Sequence, residues 1–486
     1  TVRADLQRFA AQALRQHLRE LQGRNVQDGA LVVLDNASGE VLAWVGSSGA
    51  LSSAAEVDGV TALRQPGSTL KPFLYAQAIA ERRITAASLL DDSSAHLPTA
   101  GGLYIPQNYD HQFKGWISAR TALAASLNIP AVRTLVMVTP DAFHRQLLAL
   151  GLPLKETGDY YGYSLALGSA EVPLLALANG YRALANGGRY SPVALSLSKG
   201  RPEPFDELRT GPVEGQGAKA STGSARTGKQ AIDARAAFIV GDILSDPNAR
   251  ARTFGTDSLL ATRFWSAVKT GTSKDMRDNW ALGWSQRYTV GVWVGNASGA
   301  PMHDVSGTSG AAPVWAAVMQ YLHAGTPGRA PVAPPGLASS SVAFAGGLEA
   351  GRSEWFLQGT QQATFAMNSI APRARQPGTG GRFGSETAEN SRPRITAPAP
   401  GTIVALDPDI PPRHQRLRFS AEGDQLRWRM DGKEFARGRE AKWLPWPGRH
   451  VVQLVDAQGR VLDEVRIEVR GAGVKAVSQS QSRPSG

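Results

Sequence analysis

The chain has 486 residues, 42% hydrophobic and 19% charged, which is the balance of an ordinary globular protein with two or three domains, and no run of about 18 apolar residues to cross a bilayer. Cysteine is absent, which excludes disulfides and thiolate chemistry. The net charge of +11 suits an anionic partner, but many arginines lie in Gly/Pro-rich segments such as RPRITAPAPG and no zinc-finger, Walker or RNP pattern accompanies them, which argues against nucleic acid.

Residues 4–22, ADLQRFAAQALRQHLRELQ, carry Leu6, Phe9, Leu14, Leu18 and Leu21 at helical spacing. The start at Thr1, without a basic-then-apolar leader, reads as a processed or cut beginning and leaves a missing anchor open. GALVVLDNASGEVLAWVGSS holds two apolar runs around Asn36–Gly39, the pattern of a β-hairpin. Helical spacing then fills much of residues 69–190, with polar breaks near 92–118 and 155–163. Residues 191–230 are crowded with Gly, Ser, Pro, Lys and Arg and read as a low-complexity, solvated insertion.

After a helical segment at 231–246, strand patterning returns in FWSAVKTGTS and in NWALGWSQRYTVGVWVGNASG, the latter breaking near Ser285–Arg287 as a hairpin does. In that second stretch Trp280, Trp284 and Trp293 read as core-facing strand residues. AAPVWAAVMQYLHAG predicts a closing helix, and the first module, residues 1–325, ends there. The order helix, hairpin, helices, hairpin, helix implies an α+β domain: an antiparallel sheet with flanking helices and an inserted helical lobe. Residues 326–392 read as a Pro/Gly-rich linker around the short apolar stretch EWFLQGT, crossed by few contacts. Residues 393–470 alternate short strands and turns, the signature of a small all-β sandwich with Trp428, Trp443 and Trp446 as its expected core, although one exposed aromatic there would suit a sugar. Residues 471–486 read as a disordered tail.

The chemistry concentrates in three places. In RQPGSTLKPF, Gly67 permits a tight turn into a helix, and Ser68 and Lys71 fall on one face at i and i+3. A serine hydroxyl needs a base to become a nucleophile, and a lysine serves if burial and a neighbouring cation depress its pKa. The competing reading is a serine that caps the helix beside a solvated lysine. Further on come Ser126-Leu127-Asn128 in TALAASLNIPAVR and Lys269-Thr270-Gly271-Thr272 at the end of a predicted strand. Ser126 can relay a proton to a leaving group, Asn128 can hold a substrate amide and Lys71, and Lys269 can depress Lys71 and attract a carboxylate. Gly271 would let the strand approach the substrate so that Thr270 and Thr272 face it, and the backbone N–H groups of Ser68 and Thr272 would form an oxyanion hole. The histidines show no HExxH or comparable spacing, so neither metal nor cofactor is expected.

Ser-x-x-Lys, Ser-x-Asn and Lys-Thr-Gly in this order form the signature of penicillin-binding proteins and serine β-lactamases. With GSTLKPFLYAQAI, YIPQNYDHQFKGWISARTALAASLNIPAVR, LALGSAEVPLLALANGYRALANGG and KTGTSKDMRDNWALGWSQRYTVGVWVGN, the chain resembles the transpeptidase domain of class A penicillin-binding proteins, and of these the 1C type, which adds a small β-rich C-terminal domain. The resemblance implies a periplasmic D,D-transpeptidase acting on peptidoglycan stem peptides and acylated by β-lactams, with cell-wall assembly proteins as partners of the β-domain and membrane attachment only through an N-terminal anchor. No glycosyltransferase domain accompanies it here. A serine β-lactamase would need a carboxylate to activate water; Glu171 stands just before Pro173 at a predicted helix start, where an acidic residue is explained by the helix dipole. A β-lactam or muropeptide sensor that is acylated without turnover fits the same residues. Asp275, Arg277 and Asp278 read either as a solvated turn or as a border of the substrate groove.

Overall fold

The computed structural model describes the chain except residues 1, 100–101, 111, 195–227, 256–257, 327, 367–392, 399–402, 406–415, 424–425, 447 and 471–486. Most of the expected insertion at 191–230 and the whole tail at 471–486 thus lie outside the described residues. The flanks of the insertion, Arg189–Tyr190 and Lys229–Gln230, pair as a short antiparallel ladder. The chain divides into two units, residues 1–93 with 107–371, and residues 94–106 with 372–486.

In the first unit, five strands pair antiparallel in the order Val41–Val45, Asp28–Asp35, Tyr288–Gly295, Asp278–Trp284 and Ala267–Thr272. Helices cover both faces, so the central strands read as continuous apolar runs with Trp280, Trp284 and Trp293 buried. On one face lie Leu6, Ala10, Leu14 and Leu18 of the N-terminal helix Ala4–Glu20 and Trp315, Val318 and Met319 of the closing helix Ala312–Leu322, with Phe9 stacked on Tyr321 at 4.2 Å. The other face meets helix Leu174–Ala185, which comes so close that a side chain at Gly291 would strike Leu174 and Ala178. Beyond it, helix Lys71–Ala80 is buried on nearly every side, as its sequence KPFLYAQAIA requires. The polar break near 92–118 is closed off at its ends by the ladder of Leu89–Asp92 with Gly115–Ser118.

Within the expected linker 326–392, residues 337–365 depart from that reading, while 367–392 lie outside the described residues. Leu337–Phe344, Arg352–Leu357 and Thr364–Phe365 form a three-stranded sheet within the first unit, and Val342, Phe344, Phe356 and Phe365 share a core with Ala87 and Leu89. The polar residues around EWFLQGT concealed an ion network. Arg120 grips Glu354 with two hydrogen bonds of 2.7 Å, Arg352 donates to Glu354 and to Glu349, and Glu349 accepts from the Ser118 backbone at 2.8 Å. The Glu354 side chain is fully buried.

In the second unit, one sheet holds Arg394–Ala397, Leu417–Glu422 and Glu440–Trp443, and the other holds Ile403–Ala405, Val461–Arg470, Gly448–Val455, Arg427–Met430 and Lys433–Arg437. Phe419, Trp428, Trp443, Leu454 and Ile467 form their common core. Trp446 departs from the expected core set and is 51% exposed. The short hairpin Leu97–Thr99 and Gly102–Tyr104 belongs to this unit although it is remote in sequence.

Removing one partner of a buried ion pair costs about 3 kcal/mol or more, and without Arg120 the buried Glu354 would keep Arg352 alone. Arg120→Ala is therefore expected to lower the stability of the first unit by about 3 kcal/mol, measured by urea unfolding; a loss of under about 1 kcal/mol, the scale of a surface pair, would contradict the buried role.

Candidate active site

Ser68 lies in a 3-10 turn, Gly67–Leu70, that runs directly into helix Lys71–Ala80. Pro66 holds the N-cap position without a side-chain cap, and Lys71 is completely buried, so the reading of a capping serine beside a solvated lysine does not hold. The Ser68 side chain is half-buried, and its hydroxyl has no hydrogen-bond partner among the described residues. The turn is fastened from behind by Tyr181, whose hydroxyl donates to the Thr69 carbonyl at 2.7 Å, and by Thr69, whose hydroxyl donates to the Pro66 carbonyl at 2.8 Å.

The three motifs meet here. Lys71 Nζ donates to Asn128 Oδ1 at 2.7 Å and to the carbonyls of Ser126 and Leu127 at 2.7 and 3.0 Å. Lys269 Nζ, from the sheet-edge strand Ala267–Thr272, donates to Ser126 Oγ at 2.7 Å and to its neighbour Thr270's carbonyl at 2.8 Å. Ser126 stands at φ 63°, a conformation that costs a non-glycine residue about 1 kcal/mol or more and that turns its carbonyl toward one lysine and its hydroxyl toward the other. Thr253 secures the same loop by donating to the Ala125 carbonyl at 2.9 Å.

Both lysines are pushed toward the neutral form. Burial, and after it the charge of Lys269, hold Lys71 well below the ordinary lysine range, against the opposing pull of Asp92. Burial, and then Arg250, bring Lys269 down to about 7. Arg250 is itself buried and donates to the Leu244 and Leu260 carbonyls. All three partners of Lys71 are acceptors, the set an ammonium requires, whereas its surroundings favour the amine. A lysine held between these demands can release and regain a proton.

Gly271 has a packing role as well, beside the one its motif suggested. A side chain there would sit 2.5 Å from the Pro66 carbonyl oxygen, so the bare glycine admits the turn that carries Ser68. A side chain at Gly67, at φ 55°, would lie 2.6 Å from the Thr272 carbonyl oxygen, and one at Gly168, at φ 79°, would run into the Gly67 backbone itself. Three glycines from three segments thus bring bare backbone together around Ser68. Gly168 escaped sequence reasoning although it stands in LALGSAEVPLL; a Gly ahead of a helix start was the available signal. Thr270 is buried, and Thr272 is half-buried with its hydroxyl accepting from the Gly307 N–H at 3.0 Å.

Glu171 is exposed, two residues before Pro173, the N-cap of helix Leu174–Ala185. Asp278 is buried, accepting from Trp293 Nε1 at 3.0 Å and from Ser273 Oγ at 2.9 Å, whereas Asp275 and Arg277 are solvated. Among the described residues no cluster of His, Asp and Glu is suited to a metal, and no helix is long and apolar enough to cross a membrane.

Residues 29–320 match the penicillin binding protein transpeptidase domain, and residues 384–467 match the Penicillin-Binding Protein C-terminus Family. The chain belongs to the penicillin-binding protein transpeptidase family. It is 36% identical over 288 residues to penicillin-binding protein 1C of Escherichia coli, covering 59% of this chain and 33% of that protein. It is 32% identical over 318 residues to penicillin-binding protein 1A of Neisseria meningitidis, covering 64% of this chain and 38% of the relative. The chain thus spans between a third and two fifths of the length of these relatives. The fold is shared with penicillin-binding protein 1A from Haemophilus influenzae (TM-score 0.56, 23% identity, 69% of this chain and 54% of the other). It is shared as well with the PonA1 protein from Mycobacterium tuberculosis, solved in complex with penicillin V (TM-score 0.54, 23% identity, 68% and 86%).

The glycine seam is testable. Gly168→Ala adds strain of about 2 kcal/mol at its positive φ and displaces the Ser68 turn, so it should lower the melting temperature and slow labelling by a fluorescent penicillin by about tenfold or more. Native labelling in a fully stable variant would contradict the seam.

Proposed function

We propose that the chain is a peptidoglycan D,D-transpeptidase in which Ser68 is the acylated nucleophile, and that β-lactams acylate the same hydroxyl. The observation that supports this most strongly is the convergence of the two lysines on the Ser126–Asn128 segment, Lys71 on Asn128 Oδ1 and Lys269 on Ser126 Oγ. Neutral Lys71 takes the proton of Ser68 Oγ as that oxygen attacks the carbonyl carbon of the penultimate D-alanine. The tetrahedral oxyanion is held by the backbone N–H groups of Ser68 and Thr272, each such donor being worth about a hundredfold in rate. The C–N bond then breaks as the proton held on Lys71 returns through Ser126, which takes it up while passing its own to the departing amine of D-alanine; Lys71 is neutral again and an ester to Ser68 remains. The amine of a neighbouring strand attacks that ester, gives up a proton along the same path and restores Ser68. Asn128 holds the donor amide, and protonated Lys269 draws the terminal carboxylate.

The reading is of a cell-wall acyl-transfer enzyme working in the periplasm. It needs no cofactor. Among the described residues Glu171 makes no hydrogen bond to Ser68, Lys71, Ser126 or Asn128, which argues against the β-lactamase alternative, where a carboxylate is fastened at the site to activate water.

The pH dependence follows from the two lysines. Acylation requires neutral Lys71, so the rate rises with pH on the acid side; it also requires charged Lys269, whose pKa is brought down to about 7, so the rate falls above that value. Stopped-flow acylation by a chromogenic β-lactam should give a bell-shaped profile belonging to the lysine pair, and a flat rate across neutral pH would contradict the assignment. By intact-mass spectrometry and peptide mapping after benzylpenicillin treatment, the native chain should carry one adduct on Ser68 and Ser68→Ala none; acylation persisting at another residue would overturn the role of Ser68.

A further inference from the structure

Asn128 opens helix Asn128–Val138, whose N-cap residue, Leu127, has no side chain able to accept a hydrogen bond. The cap comes from elsewhere. Asn108 Oδ1 accepts from the Asn128 backbone N–H at 2.9 Å and lies 3.5 Å from the N–H of Ile129. Its Nδ2 donates to both carboxylate oxygens of Asp92 at 2.8 Å and to the Gln112 carbonyl at 2.8 Å. Asp92 is itself fixed by the Lys114 backbone N–H at 2.8 Å. Asn108 is 3% exposed and Asp92 is fully buried. The neighbouring Gln107 carbonyl accepts from Asn128 Nδ2 at 2.8 Å, which leaves Asn128 Oδ1 turned to Lys71.

We propose that Asp92 and Asn108 are positioning residues of the acyl-transfer site: Asp92 fixes which end of the Asn108 amide faces Asn128, and Asn108, as a cap supplied from a distant loop, fixes Asn128 and with it the carbonyls and amide oxygen that hold Lys71. An ordinary cap would serve only the helix. This one holds the segment that carries all three acceptors of Lys71, so its displacement moves the base away from Ser68. Asp92, a fully buried carboxylate, also opposes the depression of Lys71. The inference rests on the transpeptidase reading, in which Lys71 is the base.

The test is a charge-and-amide swap, read by the rate of benzylpenicillin adduct formation on Ser68 and by thermal melting. Asn108→Asp keeps an acceptor for Asn128 but sets two carboxylates face to face; it should slow acylation about a hundredfold. Asn108→Ala should slow it about tenfold or more. The double variant Asp92→Asn with Asn108→Asp restores a donor facing an acceptor and should recover to within about tenfold of the native rate. Native acylation in Asn108→Ala, or a double variant no faster than Asn108→Asp, would overturn the proposal. Loss of cooperative melting in both single variants would make the pair a purely structural cap and overturn it equally. A native chain with no adduct on Ser68 would instead sink the transpeptidase reading; with the native chain acylated, the variants bear on Asp92 and Asn108 alone.

Discussion

Three stretches of backbone touch where side chains would normally keep them apart, and the site depends on that contact. The turn Pro66–Thr69, the end of the edge strand at Gly271–Thr272 and the bend at Gly168 close on one another through atoms that only glycine leaves free. The contact holds Ser68, the end of the strand and the start of the buried helix against one another. Everything around it supports the same three segments. Paired strands hold Gly271, Tyr181 ties the turn to helix Leu174–Ala185, and Lys71, at the head of the buried helix that follows Ser68, is itself fully buried.

Enclosure then decides the chemistry. Lys71, Lys269 and Arg250 are all withdrawn from water, with buried Asp92 as a counter-charge to Lys71, so each cation makes the next harder to protonate. Water would have left both lysines charged, and the proposal that Lys71 serves Ser68 as a base depends on their burial. The strained Ser126 belongs to the same design. Its positive φ directs a carbonyl to one lysine and a hydroxyl to the other, and Thr253 and Asn108 brace the loop on either side.

The motif residues were legible in the sequence because the chemistry restricts their types: a serine near a lysine, a hydroxyl and an amide two apart, a lysine before a glycine on a strand. The central sheet was legible as well, through long apolar runs broken at Asn36–Gly39 and Ser285–Arg287. The parts that were not legible depend on distant partners. Gly168 has meaning only against Gly67, and Asn108 only against Asp92 and Asn128. Residues 337–365 looked like linker because their strands, LASSSVAF and RSEWFL, mix serines and charged residues among the apolar ones and are flanked by Pro and Gly, and because a charge pair, Arg120 with Glu354, helps to hold them. The hairpin at 97–104 joins a unit whose other strands lie some three hundred residues away, and no local pattern announces that.

The crystal structure of the chain after reaction with benzylpenicillin tests the central claim most directly. Continuous density should join Ser68 Oγ to the opened antibiotic, with the ester carbonyl oxygen about 3 Å from the backbone nitrogens of both Ser68 and Thr272. An ester oxygen pointing away from Thr272, or an adduct on any other side chain, would contradict the account.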